Sequence, residues 1–377
     1  MRLALCLEYP LQQRGGVEAL VRALIDGLAD RHELYLVSPD DSAGIDRRLR
    51  GHFQWKSSAP WYAQTERLVA WARDHRIEVF HFHMGGTYNW NARSWSGCPI
   101  TRVAAAGFRC LTTNHQAISP FDANRATEPL ARRLGSFVRR WPGKARQLAA
   151  VEREYLVSRH DLRIARAGFP GFRPKLGQIY HSLLDADQDS APHAGEGRVI
   201  LNLATVARRK GQHILAEAFA RIAGEFPEWS LRLVGYHADD GCVEIIRRIA
   251  ADHGLEERIH LPGATDDPRS AIAGAAIYVQ PSLLEGLGLS LQEAQFHRRA
   301  CIGTRVGGIP ELIEDGVSGL LVPPADPGAM AVALRRLISD PTLRRTFGEA
   351  GRRHVLDSGM TREGMIQTHL DIYQSIG

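Results

Sequence analysis

Two α/β domains, each a parallel sheet covered by helices, are what the sequence predicts. Three features carry the prediction: the length of the chain, two series of alternating apolar strands and amphipathic helices, and a polar break between them. At 377 residues the chain is longer than one core of ordinary size organises. Hydrophobic residues make up 44% and charged residues 24%, the balance of a water-soluble globular protein. Alternation of short apolar runs with helical periodicity points to parallel strands joined by helical crossovers, which is a Rossmann-like arrangement.

The first series begins at Arg2–Glu8, too short in its apolar part for a signal peptide and expected as a strand. Gly16–Ala29 follows as a helix with Val17, Leu20, Val21, Leu24 and Leu28 on one face. Glu33–Val37, Val79–His83 and Cys110–Thr113 are expected strands, and Trp61–Arg76 a helix. The stretch from Pro120 to Ser158 is expected to be helical, broken at Pro142-Gly143. Periodicity stops around Asp185–Gly197, where Asp, Gly, Pro and Ser take over, and residues 186–197 are expected to be a linker. Asp185-Ala186-Asp187 is a literal DxD, but no strand precedes it.

The second series runs through strands Val199–Ala204, Leu231–Val234, His260–Pro262, Ala276–Gln280 and Ala300–Gly303. Helices are expected at Gln212–Phe226, Val243–His253, Ser290–Phe296, Pro327–Ile338 and Arg362–Gln374. The expected domains are 1–185 and 198–359, with the helix at 360–377 returning to the first. Ligands of open α/β sheets bind outside the carboxyl ends of the strands, so a deep cleft between two facing sheets is the expected site.

No apolar run approaches the ~20 residues that span a bilayer. The five cysteines, Cys6, Cys98, Cys110, Cys242 and Cys301, lack CxxC spacing, which argues for reduced thiols in a cytoplasmic protein. Charge is uneven: residues 1–190 hold 27 Lys/Arg against 19 Asp/Glu, the remainder 20 against 23. The excess gathers at 131–146, where arginines alternate with Phe137, Val138 and Trp141. Such a segment suits an anionic membrane surface or an acidic substrate, and equally a solvated helix face. No nucleic-acid module accompanies it.

Chemistry concentrates at Pro281–Glu293, Pro-Ser-Leu-Leu-Glu-Gly-Leu-Gly-Leu-Ser-Leu-Gln-Glu. A strand, a glycine loop and a helix N-terminus present free N–H groups to an anion, with two carboxylates nearby for hydroxyls. That combination suits a phosphorylated sugar; an ordinary strand-to-helix turn would use its glycines for geometry alone. Arg208-Arg209-Lys210-Gly211 follows the first strand of the second series and offers cations beside another helix start. Arg14-Gly15-Gly16 holds the corresponding place in the first series without being a GxGxxG fingerprint.

Taken together these segments resemble the family-4 glycosyltransferases of the GT-B fold. Glu285 and Glu293 form that family's E-x7-E pattern. Arg209-Lys210-Gly211, Val234-Gly235, Leu261-Pro262-Gly263, Val306–Ile313 and Asp315–Val322 stand around it in the family's order. The resemblance implies transfer of a sugar from a nucleotide-diphosphate donor, UDP- or GDP-linked, to an acceptor hydroxyl with retention at the anomeric carbon. It implies no cofactor and no metal. Arg209 and Lys210 would hold the diphosphate, Glu285 the donor sugar and Glu293 the ribose. Gly286, Leu287, Gly288 and Leu289 would offer amides, Gly263 would pack the nucleobase, and Gly15 and Gly16 would close the phosphates from the first domain. His115 would reach the donor sugar.

Acceptor contacts are expected from His83, Tyr88 and Trp90, on a glycan or glycolipid such as lipopolysaccharide, with the protein peripheral at the inner face of a membrane. His81, His83 and His115 also form a possible imidazole triad, but no carboxylate or cysteine stands in register with it. Thr205 stands where many relatives have arginine, which shifts phosphate contact to Arg208 or Arg209, and His181-Ser182 replaces the family's Asn-Gly turn. A sugar phosphorylase, a nucleotide-sugar epimerase and a non-catalytic nucleotide-sugar-binding protein are the alternatives.

Overall fold

The computed structural model describes residues 1–12, 15–39, 46–55, 61–84, 98–115, 141–186 and 197–376. The chain divides into two compact units, Met1–Leu183 with Arg362–Gly377, and Leu184–Thr361. Residues 187–196 of the expected linker, most of the basic segment, and Tyr88 and Trp90 lie outside the described residues.

Unit 1 contains β1 (Arg2–Leu7), α1 (Gly16–Leu28), β2 (Glu33–Ser38), β3 (Leu49–Gln54), α2 (Trp61–Asp74), β4 (Val79–Met84), α3 (Pro99–Ala105) and β5 (Arg109–Asn114). Then come α4 (residues 141–150), β6 (Arg153–Leu156), α5 (Arg159–Gly168) and β7 (Leu176–Gln178). Seven parallel strands pair in the order β3-β2-β1-β4-β5-β6-β7. Central strands buried on both faces read as unbroken apolar runs, and Leu3, Ala4, Leu5, Cys6 and Leu7 of β1 are all buried.

Three strands of unit 1 escape a reading of hydrophobic pattern. In β3 only Phe53 is buried, because it is an edge strand. β6 overturns the helical expectation for residues before Ser158. Its four residues fill the slot between β5 and β7 and carry a fully buried acid, Glu154. Thr112 Oγ1 (3.0 Å), Gln147 Nε2 (3.2 Å) and Lys144 Nζ (2.5 Å) donate to that carboxylate. Lys144, counted in the basic segment, is therefore turned inward. β7, three residues long, pairs with β6 and buries Leu176 against Leu148, Leu156, Ala165 and Phe169.

Unit 2 contains β8 (Val199–Leu203), α6 (Gln212–Ile222), β9 (Ser230–Val234), α7 (Cys242–Asp252), β10 (Ile259–Gly263), α8 (Pro268–Ala273) and β11 (Ile277–Gln280). It continues with α9 (Leu289–Phe296), β12 (Ala300–Thr304), α10 (Ile309–Leu312), β13 (Leu320–Val322), α11 (Pro327–Ser339) and α12 (Pro341–Asp357). Its six parallel strands run β10-β9-β8-β11-β12-β13. Asp267, Asp326 and Asp340 cap α8, α11 and α12 by accepting from Ser270, Ala329 and Leu343 amides, each with proline at the first helical turn. Periodicity misses α12 because Gly348 and Gly351 share its buried face with Phe347, Val355 and Arg344. A Cβ on Gly348 would stand 2.2 Å from the Arg298 carbonyl, and one on Gly351 3.2 Å from Gln295.

The chain then returns to unit 1 as α13 (Arg362–Ile376). Gly27 of α1 admits Ile366, which a Cβ there would meet at 2.3 Å. Arg362 pairs with Asp26 at 2.6 Å, and Tyr373 is fully buried.

Candidate functional site

In unit 2 the strand order reverses between β8 and β11, whose successors β9 and β12 lie on opposite sides. A crevice opens outside the carboxyl ends of the strands at such a switch point. The sequence places its basic turn after β8 and its Glu-Gly-Leu-Gly loop after β11, so both border it.

The two loops are locked together. Gly211 adopts φ +73°, and a Cβ there would sit 1.9 Å from the Pro281 carbonyl oxygen, so only glycine lets the strands' exits touch. The Arg209 carbonyl accepts from the amides of Leu283 (2.9 Å) and Leu284 (3.3 Å). On the far side Gly307, at φ +53°, brings its backbone so near that a Cβ would stand 1.8 Å from the Glu285 carbonyl oxygen. The Gly308 amide donates to the Gly286 carbonyl at 2.9 Å.

Held this way, Lys210 Nζ donates to both carboxylate oxygens of Glu285, at 3.0 and 2.8 Å. Gln280 Nε2 and Ser282 Oγ each donate to Glu285 Oε2 at 2.9 Å. Tyr278 orients Gln280 by donating to its Oε1 at 2.9 Å. Burial pushes the Glu285 carboxyl up, but the Lys210 charge, the Lys210 and Ser282 hydrogen bonds and Arg209 outweigh it and leave it below the usual carboxylate range. Gln280 and Ser282 were missed in the sequence; the available signal was two polar residues at the end of an apolar strand.

Arg209 makes no side-chain hydrogen bond among the described residues, whereas Arg208 is engaged elsewhere. The Arg208 amide donates to Asp240 Oδ2 (2.7 Å) and its Nε to the Asp240 carbonyl (2.8 Å). Arg209 is thus the cation left for an anion. Gly288 at φ +108° ends the loop as the N-cap of α9, and Leu287 is buried beneath it. Glu293, one turn into α9, is half-buried, and its carboxylate has no hydrogen-bond partner among the described residues. Burial raises its pKa, partly offset by Arg269. Gly263, at φ +83°, lies at the end of β10 with open space where a Cβ would be.

Unit 1 has its own reversal, between β1 and β4. Gly15, the N-cap of α1, follows β1 with Gly16 beside it; His83 lies near the end of β4, and His115 just past β5. His83 Nδ1 and His115 Nε2 share a hydrogen bond of 3.1 Å. His83, expected to face an acceptor, is 1% exposed and lies behind His115, because β4 is flanked on both sides and covered by α13. His115 stacks on His181 with centroids 4.7 Å apart, and burial holds its pKa down at about 3, helped by His369. No group of three or more His, Cys, Asp or Glu among the described residues is arranged to hold a metal ion.

Residues 197–340 match the family described as Glycosyl transferases group 1. The lipopolysaccharide core biosynthesis glycosyltransferase LpsE of Rhizobium meliloti is 29% identical over 47% of this chain and 50% of its own length. The MMP alpha-(1->4)-mannosyltransferase of Mycolicibacterium hassiacum is 26% identical over 69% of this chain and 64% of its own. The chain thus spans about half to two thirds of these relatives. Among solved structures, sucrose-phosphate synthase from Thermosynechococcus elongatus superposes over 100% of this chain and 98% of its own with a TM-score of 0.77 at 20% identity. Anabaena Alr3699/HepE in complex with UDP and glucose superposes over 100% of both chains with a TM-score of 0.77 at 16% identity.

Proposed function

We propose, from the match of residues 197–340 to the group 1 glycosyl transferases and from the GT-B fold, that this chain belongs to that family and moves a sugar from a nucleotide-diphosphate donor to a glycan or glycolipid hydroxyl. The observation that carries the reading is the convergence of Arg209, Lys210 and Glu285 with the 286–289 loop and the unpartnered Glu293 at one switch point. The names of LpsE and the mannosyltransferase, and the UDP held by Alr3699/HepE, support a lipopolysaccharide or glycolipid acceptor and a nucleotide-linked donor.

In this reading Arg209, Lys210 and the amides of Gly286, Leu287, Gly288 and Leu289 receive the diphosphate. As the bond from the anomeric carbon to the phosphate oxygen breaks, its electron pair leaves with the diphosphate, and these fixed donors stabilise the growing charge. Glu285, ionised and buried, faces the ring as positive charge develops there. The acceptor oxygen bonds to the anomeric carbon on the face the phosphate leaves, and its proton passes to that phosphate, so configuration is retained. Two cations and a helix terminus supply the electrostatic work a divalent ion would otherwise do. Glu293 accepts from the ribose hydroxyls, Gly263 lies under the base, and Gly15, Gly16 and His115 serve the donor from unit 1. Tyr88 and Trp90 are proposed for the acceptor, and the arginines of 131–140 for an anionic membrane surface.

A panel of nucleotide-sugars and acceptors tests this. Transfer should release one nucleoside diphosphate per glycoside formed, and Glu293→Ala and Lys210→Ala should each abolish it with the circular dichroism unchanged. Full activity in both variants overturns the reading. Phosphate-dependent cleavage of a disaccharide, epimerisation without acceptor, or donor binding without turnover would each assign one of the alternative functions instead.

A further inference from the structure

Unit 1 encloses a cluster of five imidazoles. Ring centroids of His81 and His83 lie 4.3 Å apart, His83 and His115 5.4 Å, His115 and His181 4.7 Å, and His181 and His369 5.8 Å. Five of the ten ring nitrogens have a hydrogen-bond partner, whereas both of His181 and Nε2 of His369 are buried with none among the described residues. His369 Nδ1 faces the Met365 carbonyl at 2.8 Å; a carbonyl only accepts, so the proton of His369 is on Nδ1. His81 is held between Tyr373 Oη (2.7 Å) and Thr113 Oγ1 (2.8 Å). His83 Nδ1 meets His115 Nε2, while His83 Nε2 is buried with no partner among the described residues.

Only two neutral arrangements satisfy the His83–His115 bond. If His115 donated from Nε2, the proton of His83 would sit on Nε2, sealing an N–H against nothing that can receive it. If His83 donates from Nδ1, its Nε2 is a bare lone pair, and orphaned acceptors are tolerated more readily than orphaned N–H groups. A charged His83 that donates from both nitrogens is excluded. Burial, and the neighbouring His81, His115, His369 and His181, hold its pKa well below the ordinary value.

We propose that His83 is a positioning residue that fixes the tautomer of His115: it donates to His115 Nε2, so that His115 presents a neutral Nδ1–H at the carboxyl end of β5. The stack on His181 holds the ring in plane with that task. Metal-bound histidines are oriented by the hydrogen bond of their second nitrogen, and here a second imidazole plays that part. The outward nitrogen is then a hydrogen-bond donor to a sugar oxygen and has no lone pair for an acceptor proton. The functional consequence rests on the donor-side role proposed for His115; the tautomer does not.

The test separates the two. In protein labelled with nitrogen-15 at histidine, long-range proton–nitrogen correlations of the unliganded chain near neutral pH should show His115 as the Nδ1–H form. In His83→Phe that form should give way to Nε2–H or a mixture. In His83→Asn, whose side-chain amide places an N–H where Nδ1–H was, it should persist. Glycosyl transfer should follow the tautomer: kcat falls roughly ten-fold in His83→Phe, the loss of one ordinary hydrogen bond, and recovers in His83→Asn, with donor KM little changed. An Nε2–H form in the wild-type protein, or an unchanged tautomer in a folded His83→Phe, overturns the proposal. The wild-type and His83→Asn spectra decide it if His83→Phe does not fold. The expected spectra with no transfer under any condition would fault the proposed function alone.

Discussion

Glu285 and Lys210 illustrate how a reactive pair is kept charged inside a protein. Their side chains are 11% and 14% exposed, so each depends on the other for its charge. Removing one strands its partner, which costs more than removing both. Lys210→Met alone should therefore destabilise unit 2 by about 3 kcal/mol, and Lys210→Met with Glu285→Gln by less, as read from urea denaturation of the variants in a double-mutant cycle. The depressed Glu285 pKa sets a sign as well. The pair's stabilisation is complete above the unfolded value of 4.5 and is lost as pH falls through the lower folded value. Glu293 behaves oppositely: burial raises its pKa, and a ligand donating two hydroxyl protons would relieve that cost.

Loops carry the site, and glycines carry the loops. Gly211 and Gly307 each combine a left-handed φ with a backbone oxygen under 2 Å from where a Cβ would lie. Alanine at either position adds roughly 1–2 kcal/mol of conformational strain before any displacement of Pro281 or Glu285. Gly211→Ala and Gly307→Ala should each lower the denaturation midpoint of unit 2 and weaken donor binding together. By contrast, Gly254→Ala, with φ +63° but nothing within 4 Å, should lower the midpoint and leave donor binding intact. Calorimetric titration with a nucleoside diphosphate distinguishes the two outcomes.

Across the whole molecule, ligand should act chiefly on unit 2 and pH chiefly on unit 1. A donor that binds only the folded chain stabilises it by about 2.7 kcal/mol at a hundred times its dissociation constant. Hydrogen exchange should place that protection chiefly in residues 197–361. Acid should act most strongly on unit 1, although burial also lowers the pKa of His213 and His297 in unit 2. Burial lowers the pKa of His81, His83, His115, His181 and His369, to about 3 for His115 and about 4 for His369. Unfolded, these histidines bind protons near 6.5; folded, they bind them only far below. Stability is therefore constant above 6.5 and falls as pH drops below it, down to about 4 for His369 and about 3 for His115, by up to about 1.4 kcal/mol per pH unit for each histidine. Denaturation at pH values spanning that range should show the fluorescence transition of Trp55 and Trp71 shifting well ahead of that of Trp229. No helix among the described residues is long and apolar enough to cross a membrane. Vesicle flotation should depend on anionic lipid and weaken when Arg132, Arg133, Arg139 and Arg140 are neutralised, whereas Lys144→Gln should unfold β6 instead.

Order and type of most elements were legible in the chain itself, because a strand buried on both faces and a helix covering it each leave a periodic trace. So was the chemistry around 281–293, where glycines, carboxylates and a helix start are contiguous. Elements whose burial breaks the apolar period left a weaker trace: β3 is an edge strand with only Phe53 buried, β6 carries the buried Glu154 beside Tyr155 and Leu156, and α12 buries Gly348 and Gly351 beside Phe347 and Val355. The site was legible as residue types and not as partners. That Glu285 is bound by Lys210, Gln280 and Ser282, that Arg208 is diverted to Asp240, and that His83 lies behind His115 all depend on contacts between loops or strands far apart in sequence. A sequence records what each side chain can donate or accept; which donor meets which acceptor is decided by the sheet order that brings their strands side by side.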